Sequence, residues 1–158
     1  MAIYMKFGSI EGPITTKGFE KWIELSSFQW GVGRGIASAA RSETGRESSE
    51  PSISEIVVTK SMDISSNKLF QEATGGDMSA DVTLKFTATT KDTVTTFLTY
   101  VLSNTGLSGY SVSTKGDNPV ESLSLNFTKI MITYSGLDPK TQGKPDTCGY
   151  DMTKMAKV

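Results

Sequence analysis

The 158-residue chain has no histidine and a single cysteine, Cys148. Without histidine there is no Ser-His-Asp or Cys-His relay and no imidazole-ligated metal, which removes most hydrolase and zinc chemistry. A lone cysteine excludes a disulfide within the chain, so Cys148 is expected to be unpaired, and a reducing cytoplasm is the natural place of folding. Sixteen Lys and Arg against 17 Asp and Glu leave a net charge of −1. No basic run could neutralise a phosphate backbone, so nucleic acid is not an expected partner. Nowhere do 18 apolar residues follow one another, and Met1 to Ile10 lacks a basic segment followed by an apolar run. Neither a membrane span nor a secretory signal is therefore expected.

What is present is β character. The hydrophobic class is 37% with 15 glycines besides, an ordinary globular composition. A chain of this length fits one domain, 1–158, able to bury roughly two-thirds of its unfolded surface. Ile3, Met5 and Phe7 alternate with Tyr4 and Lys6, which predicts a strand from Met1 to Gly8. Further strands are predicted over Lys21 to Val32, Ser52 to Ser61, Ala80 to Thr90 and Thr93 to Leu102, the last two joined at Lys91-Asp92 as a hairpin. Gly106 to Thr114 reads either as a continuation or as a separate strand. Val120 to Ser135 is the longest regular run, and Gly149 to Met152 a closing strand. The helix signal lies at Lys68 to Ala73, with cap candidates from Asp63 to Asn67 and a left-handed stop at Gly75-Gly76. Leu69, Phe70 and Ala73 are expected to face the sheet.

Two strands break their own alternation. Ile23 and Leu25 sit on odd positions but Phe28 and Trp30 on even ones, and Leu123, Leu125 and Phe127 are followed by Ile130, Ile132 and Tyr134. A period-2 strand cannot keep both sets on one face, so a bulge or bend is expected at Ser26-Ser27 and at Thr128-Lys129. Strands that bend from one sheet into another belong to a small barrel or an orthogonal sandwich. The predicted fold is mainly β: a small antiparallel β-barrel or two packed sheets, with one short α-helix and a long extended loop.

That loop, about 33–52, is the most informative stretch. From Ala37 to Glu50 it holds no large apolar residue, and Arg34, Arg41 and Arg46 balance Glu43, Glu47 and Glu50. Loops beyond about 12 to 15 residues without structure of their own are usually functional or disordered.

Chemistry is hard to find. Ser65-Ser66-Asn67-Lys68 matches Ser-x-x-Lys, yet the Ser-Asp-Asn and Lys-Thr-Gly partners of that chemistry are missing and Ser65 reads as a helix cap. Gly31-Val32-Gly33-Arg34-Gly35 lacks both the spacing and the following helix of a phosphate loop. Trp22, Phe28 and Trp30 could form a stacking platform for a sugar or small ligand, or could serve as core or subunit contact. Asn126-Phe127-Thr128 matches a glycosylation acceptor but sits inside a predicted strand. No catalytic, cofactor or metal site is expected.

As a set, these residues resemble the Hcp family, the haemolysin-coregulated tube proteins of bacterial type VI secretion systems. The likeness is carried by Trp22-Ile23-Glu24-Leu25 with Phe28-Gln29-Trp30-Gly31, the polar arm, Ile56-Val57-Val58-Thr59-Lys60 with Met62-Asp63, Pro119 through Phe127, Lys129-Ile130 and Gly149-Tyr150-Asp151. Thr-rich sequence from Thr83 to Thr99 departs from the lysine-rich or aromatic hairpin common in that family. The resemblance implies a non-enzymatic protein that forms hexameric rings. These stack into a tube inside a contractile sheath, with a spike protein at the tip and small effector proteins in the lumen. It also implies assembly in the bacterial cytoplasm and export without a cleaved signal peptide. Gln29, between two aromatics, is by resemblance lumen-facing, and the arm residues named above are expected to make contacts between stacked rings. The competing reading is a monomeric small-ligand or carbohydrate-binding β-barrel.

Overall fold

The computed structural model describes residues 1–37, 47–136 and 144–158. In chain order the elements are β1 (Ala2–Phe7), β2 (Ile23–Leu25), β3 (Ser27–Gln29), β4 (Val32–Gly33), β5 (Ile36–Ala37), β6 (Glu47–Ser48), β7 (Ser52–Ile53), β8 (Ile56–Ser61), α1 (Ser66–Gly75), β9 (Ala80–Thr90), β10 (Thr93–Thr114), β11 (Pro119–Asn126), β12 (Lys129–Tyr134), β13 (Asp146–Asp151) and β14 (Ala156–Lys157).

All the ladders are antiparallel. The first sheet runs β14-β13-β12-β10-β9-β1-β2 and the second β10-β11-β8-β3. Of the two expected forms, this is the pair of packed sheets, joined by bending strands and not closed as a barrel. β10 belongs to both: its first half pairs with β9 and β12, its second half, Gly106 to Thr114, with β11. Gly106 to Thr114 is thus a continuation. Register shifts beside Phe97, at Ser103–Asn104 and at Ser108 let the strand turn, and Asn104 takes a positive φ of 51° at the middle one.

Both breaks in alternation fall where the chain changes sheet. β2 pairs with β1, and after Ser26 the same run re-enters as β3 beside β8. β11 pairs with β8, and after Phe127 and Thr128 the chain continues as β12 beside β13. This second corner lies against the bend of β10, where Thr128 N donates to Ser103 O at 3.1 Å and Asn104 Nδ2 to Thr128 Oγ1 at 3.0 Å. Between the sheets lies one core that includes Met5, Ile23, Ile56, Val58, Leu84, Leu102, Leu123, Leu125 and Ile130. Each such side chain stabilises the fold by about 1.5–3 kcal/mol.

Several expectations are corrected. The strand predicted from Lys21 begins at Ile23, because Lys21 has φ 67° and belongs to the preceding turn. α1 starts two residues early, at Ser66, and its stop is not left-handed: Gly76 is extended, with φ −68° and ψ 152°. Glycine is needed there for space, since a Cβ would lie 2.7 Å from Glu72 O. Leu69 is fully buried and Ala73 packs half-buried against the core, as expected, whereas Phe70 is 52% exposed and meets Tyr110 edge-on, with ring centroids 5.8 Å apart. Tyr134, at the end of the second alternating run, is also exposed.

Candidate functional site

The described ends of the arm are paired strands. β4 pairs with β7 and β5 with β6, so the β3–β8 ladder is carried outward as a two-stranded ribbon. The register steps by one residue between Gln29↔Val57 and Val32↔Ile53, and again between Gly33↔Ser52 and Ile36↔Ser48. At the steps, Ser54 N donates to Gly31 O at 3.0 Å and Ser49 N to Gly35 O at 2.8 Å. At 3.2–3.4 Å per residue the paired strand from Ser27 to Ala37 reaches about 35 Å. Sequence reasoning missed this ribbon because ladder hydrogen bonds belong to the backbone and leave no apolar period behind. Arg34 and Glu50 are exposed, and Glu47 lies in β6. Arg41, Glu43 and Arg46 lie outside the described residues.

Gln29 is exposed on the outward face of the second sheet. The rows through this face are Gln29, Val57, Ser124 and Gly109, then Ser27, Thr59, Ser122 and Ser111, then Ser61, Val120 and Ser113. No charged side chain stands in them. Small hydroxyl groups cover the surface, and Ser27 Oγ lies 2.5 Å from Thr59 Oγ1.

The inward face of the same sheet holds what the sequence reading overlooked. Lys60 and Glu121 pair across β8 and β11, and both are fully buried. Lys60 Nζ lies 2.6 Å from Glu121 Oε1 and 3.1 Å from Asp63 Oδ1, and donates to Ser61 O at 3.0 Å. Ser66 Oγ donates to Glu121 Oε1 at 2.6 Å, while the Tyr110 hydroxyl donates to Glu121 Oε2. Burial, together with the Glu121 carboxylate beside it, pushes the Tyr110 phenol up to about 12. Every oxygen of Glu121 therefore has a donor, as a buried carboxylate requires. The signal was in the alternation, since Lys60 continues Ile56 and Val58 while Glu121 precedes Leu123 and Leu125.

Ser65 is buried and donates to Asp63 Oδ1, and Lys68 is exposed. The Ser-x-x-Lys pattern is thus bound into a turn. Ser65 occupies the helix cap position but makes no side-chain cap bond. The three aromatics of the ligand-platform reading fall into two clusters. Trp22 meets Phe19 edge-on with Lys85 over its ring, whereas Phe28 and Trp30 both pack on Tyr100. A groove of about 570 Å³ at the base of the ribbon is lined by Gln29, Trp30, Val32, Ser54, Glu55 and the backbone between them. Cys148 is exposed on β13. No helix of the described residues is long and apolar enough to cross a membrane.

Comparison with curated protein sequences finds no match. Among solved structures the chain superposes on one described as a type six secretion system protein, with TM-score 0.89, 23% identity and 99% of each chain covered. It also superposes on Hcp1 from Salmonella typhimurium, with TM-score 0.77, 20% identity and both chains fully covered. Secreted protein Hcp3 from Pseudomonas aeruginosa follows at TM-score 0.65 and 17% identity, over 92% of this chain and 95% of that one. At these identities the likeness is one of fold. The family model described as type VI secretion system effector, Hcp, matches residues 4–134. With that match across both sheets and the arm, the chain belongs to the Hcp family of the type VI secretion system.

Proposed function

We propose that this chain is a non-enzymatic tube protein, a single structural unit over 1–158 that forms hexameric rings. The rings stack head to tail inside a contractile sheath beneath a spike, and small effector proteins ride in the lumen. Assembly takes place in the bacterial cytoplasm and export needs no cleaved signal peptide. Family membership supports the building-block role. The observation that carries the reading is the outward face of the second sheet, where the paired rows through Gln29 are serine, threonine, valine and glycine, with Glu55 the carboxylate at their edge. A lumen that accepts different cargoes gains from a wall with hydrogen-bonding capacity and little fixed charge, because like-charge juxtaposition would exclude some partners outright.

The ribbon supplies the second half of the reading. A surface that repeats along an axis must be heterologous, each ring's top meeting the next ring's bottom. Arg34, Arg41, Glu43, Arg46, Glu47 and Glu50 suit such a contact, since opposite charges set register while keeping free rings soluble.

Light scattering on purified protein tests the assembly. About six protomer masses, with annular particles under the electron microscope, is the expected result. A monomer at high concentration would return the case to a ligand-binding barrel, with the Trp30 groove as its site.

A further inference from the structure

α1 is weakly fastened by its own chemistry. It buries only Ser66 and Leu69, has no acidic residue in its first turn and no basic residue in its last, and its cap residue Ser65 makes no side-chain cap bond to the helix, donating to Asp63 instead. Its first turn is held instead by the buried ions. Ser66 Oγ reaches Glu121 Oε1 at 2.6 Å, with Lys60 Nζ 3.3 Å from the same hydroxyl, and Asp63 N donates to Ser66 Oγ at 2.9 Å. Phe70 rests on Tyr110, whose hydroxyl is bound to Glu121. Lys60 comes from β8, Glu121 from β11 and Tyr110 from β10, so three strands converge on one helix end.

Fastening of this kind has a consequence. Closing α1 over Lys60, Glu121 and Asp63 strips water from ionised groups, and the desolvation of a buried pair cancels much of its attraction. Opening α1 rehydrates them, so lifting the helix costs far less than separating strands whose cores are wholly apolar. Elements with few buried apolar side chains are the ones that open locally.

We propose that α1 is a detachable element clasped to an otherwise complete sandwich by the Lys60–Glu121 pair, and that closure of this clasp sets the position of the exposed Ile64 and Phe70 side chains. The pair acts as a positioning device and takes no part in chemistry.

Native-state amide hydrogen exchange, with the full-length protein, decides it. In the wild type, amides of α1 are expected to exchange at least tenfold faster than those of β9 at Val82 and Leu84. Lys60→Met leaves the Glu121 charge without its cation and should speed α1 a further tenfold or more, with β9 unchanged. The double variant Lys60→Met/Glu121→Leu removes the uncompensated charge and should slow α1 exchange relative to Lys60→Met, while the loss of the acceptor for Ser66 and Tyr110 keeps it faster than in the wild type. A common rate for α1 and β9 in the wild type would overturn the proposal, whether or not either variant folds. Faster α1 exchange in the double variant than in the single would overturn it too, as would equal acceleration of α1 and β9 in Lys60→Met.

Discussion

Tyr110 reports on the buried cluster more directly than any other residue. Its phenol is raised from the ordinary value near 10 to about 12. A group that holds its proton more tightly in the folded state stabilises the fold fully below its unfolded value and ceases to do so as pH rises through the folded one. The stability linked to Tyr110 is thus present below about pH 10 and lost between about 10 and 12. Of the five tyrosines, it should ionise late in a phenolate absorbance titration. Glu121→Gln should move that step toward the ordinary range; an unmoved step would detach Tyr110 from Glu121. Gln29→Arg probes the outward face of the second sheet. It places a cation among neutral side chains, beside Glu55, and should leave the ring intact while changing effector retention, measured by co-purification; a broken ring with cargo spared would assign Gln29 to a subunit contact. Both residues were half legible. Alternation puts Gln29 opposite Phe28 and Trp30, as observed, and it also puts Lys60 and Glu121 inward, but charge argues against burial until a partner of opposite sign is known. That partner is 61 residues away, a separation no local pattern carries.

Among the elements, the corners were the most legible because they rest on phase. A strand that slips its alternation must turn over, and Ser26 and Phe127–Thr128 are where it does so. The helix end was misread for the opposite reason: two glycines suggest a left-handed cap, but whether Gly76 is needed for its φ or for its lack of a Cβ depends on Glu72 lying against it. Gly12 poses a similar demand, with a Cβ there falling 2.6 Å from the Trp22 carbonyl carbon and closer still to its oxygen. Gly12→Ala should cost about 1–3 kcal/mol in denaturant unfolding, and a neutral result would show that the 8–22 turn yields easily. Replacing Ala37 to Ser49 with a short Gly-Ser linker should leave the sandwich folded and soluble yet abolish tubes and export. Exposed ion pairs are individually worth about 0–1 kcal/mol, so Arg41→Glu with Arg46→Glu should weaken stacking mildly and in a salt-dependent way. Normal tubes from the linker variant, seen by electron microscopy beside a secretion assay, would reduce the ribbon to a loop.

For the molecule as a whole, the two sheets are not separable bodies. β10 has 22 residues, about 70 Å if straight, and each half is hydrogen-bonded into a different sheet. Apart from α1, the sandwich should unfold in one transition followed alike by tryptophan fluorescence and far-UV dichroism; resolved transitions would divide it. The shared strand also governs what lengths the chain can have. One residue added after Tyr100, where β10 faces Leu84 on one side and Ile132 on the other, would invert the facing of side chains against two neighbours at once. The same residue added between Gly116 and Asp117 enters an exposed turn, where extra chain is absorbed at little cost. A soluble, cooperatively melting protein is expected from the second insertion and not from the first. By descent, such a chain is free to exchange its side chains widely while insertions and deletions gather at its hairpin tips, so relatives of this architecture should keep spacing along β10 long after they have ceased to share its letters.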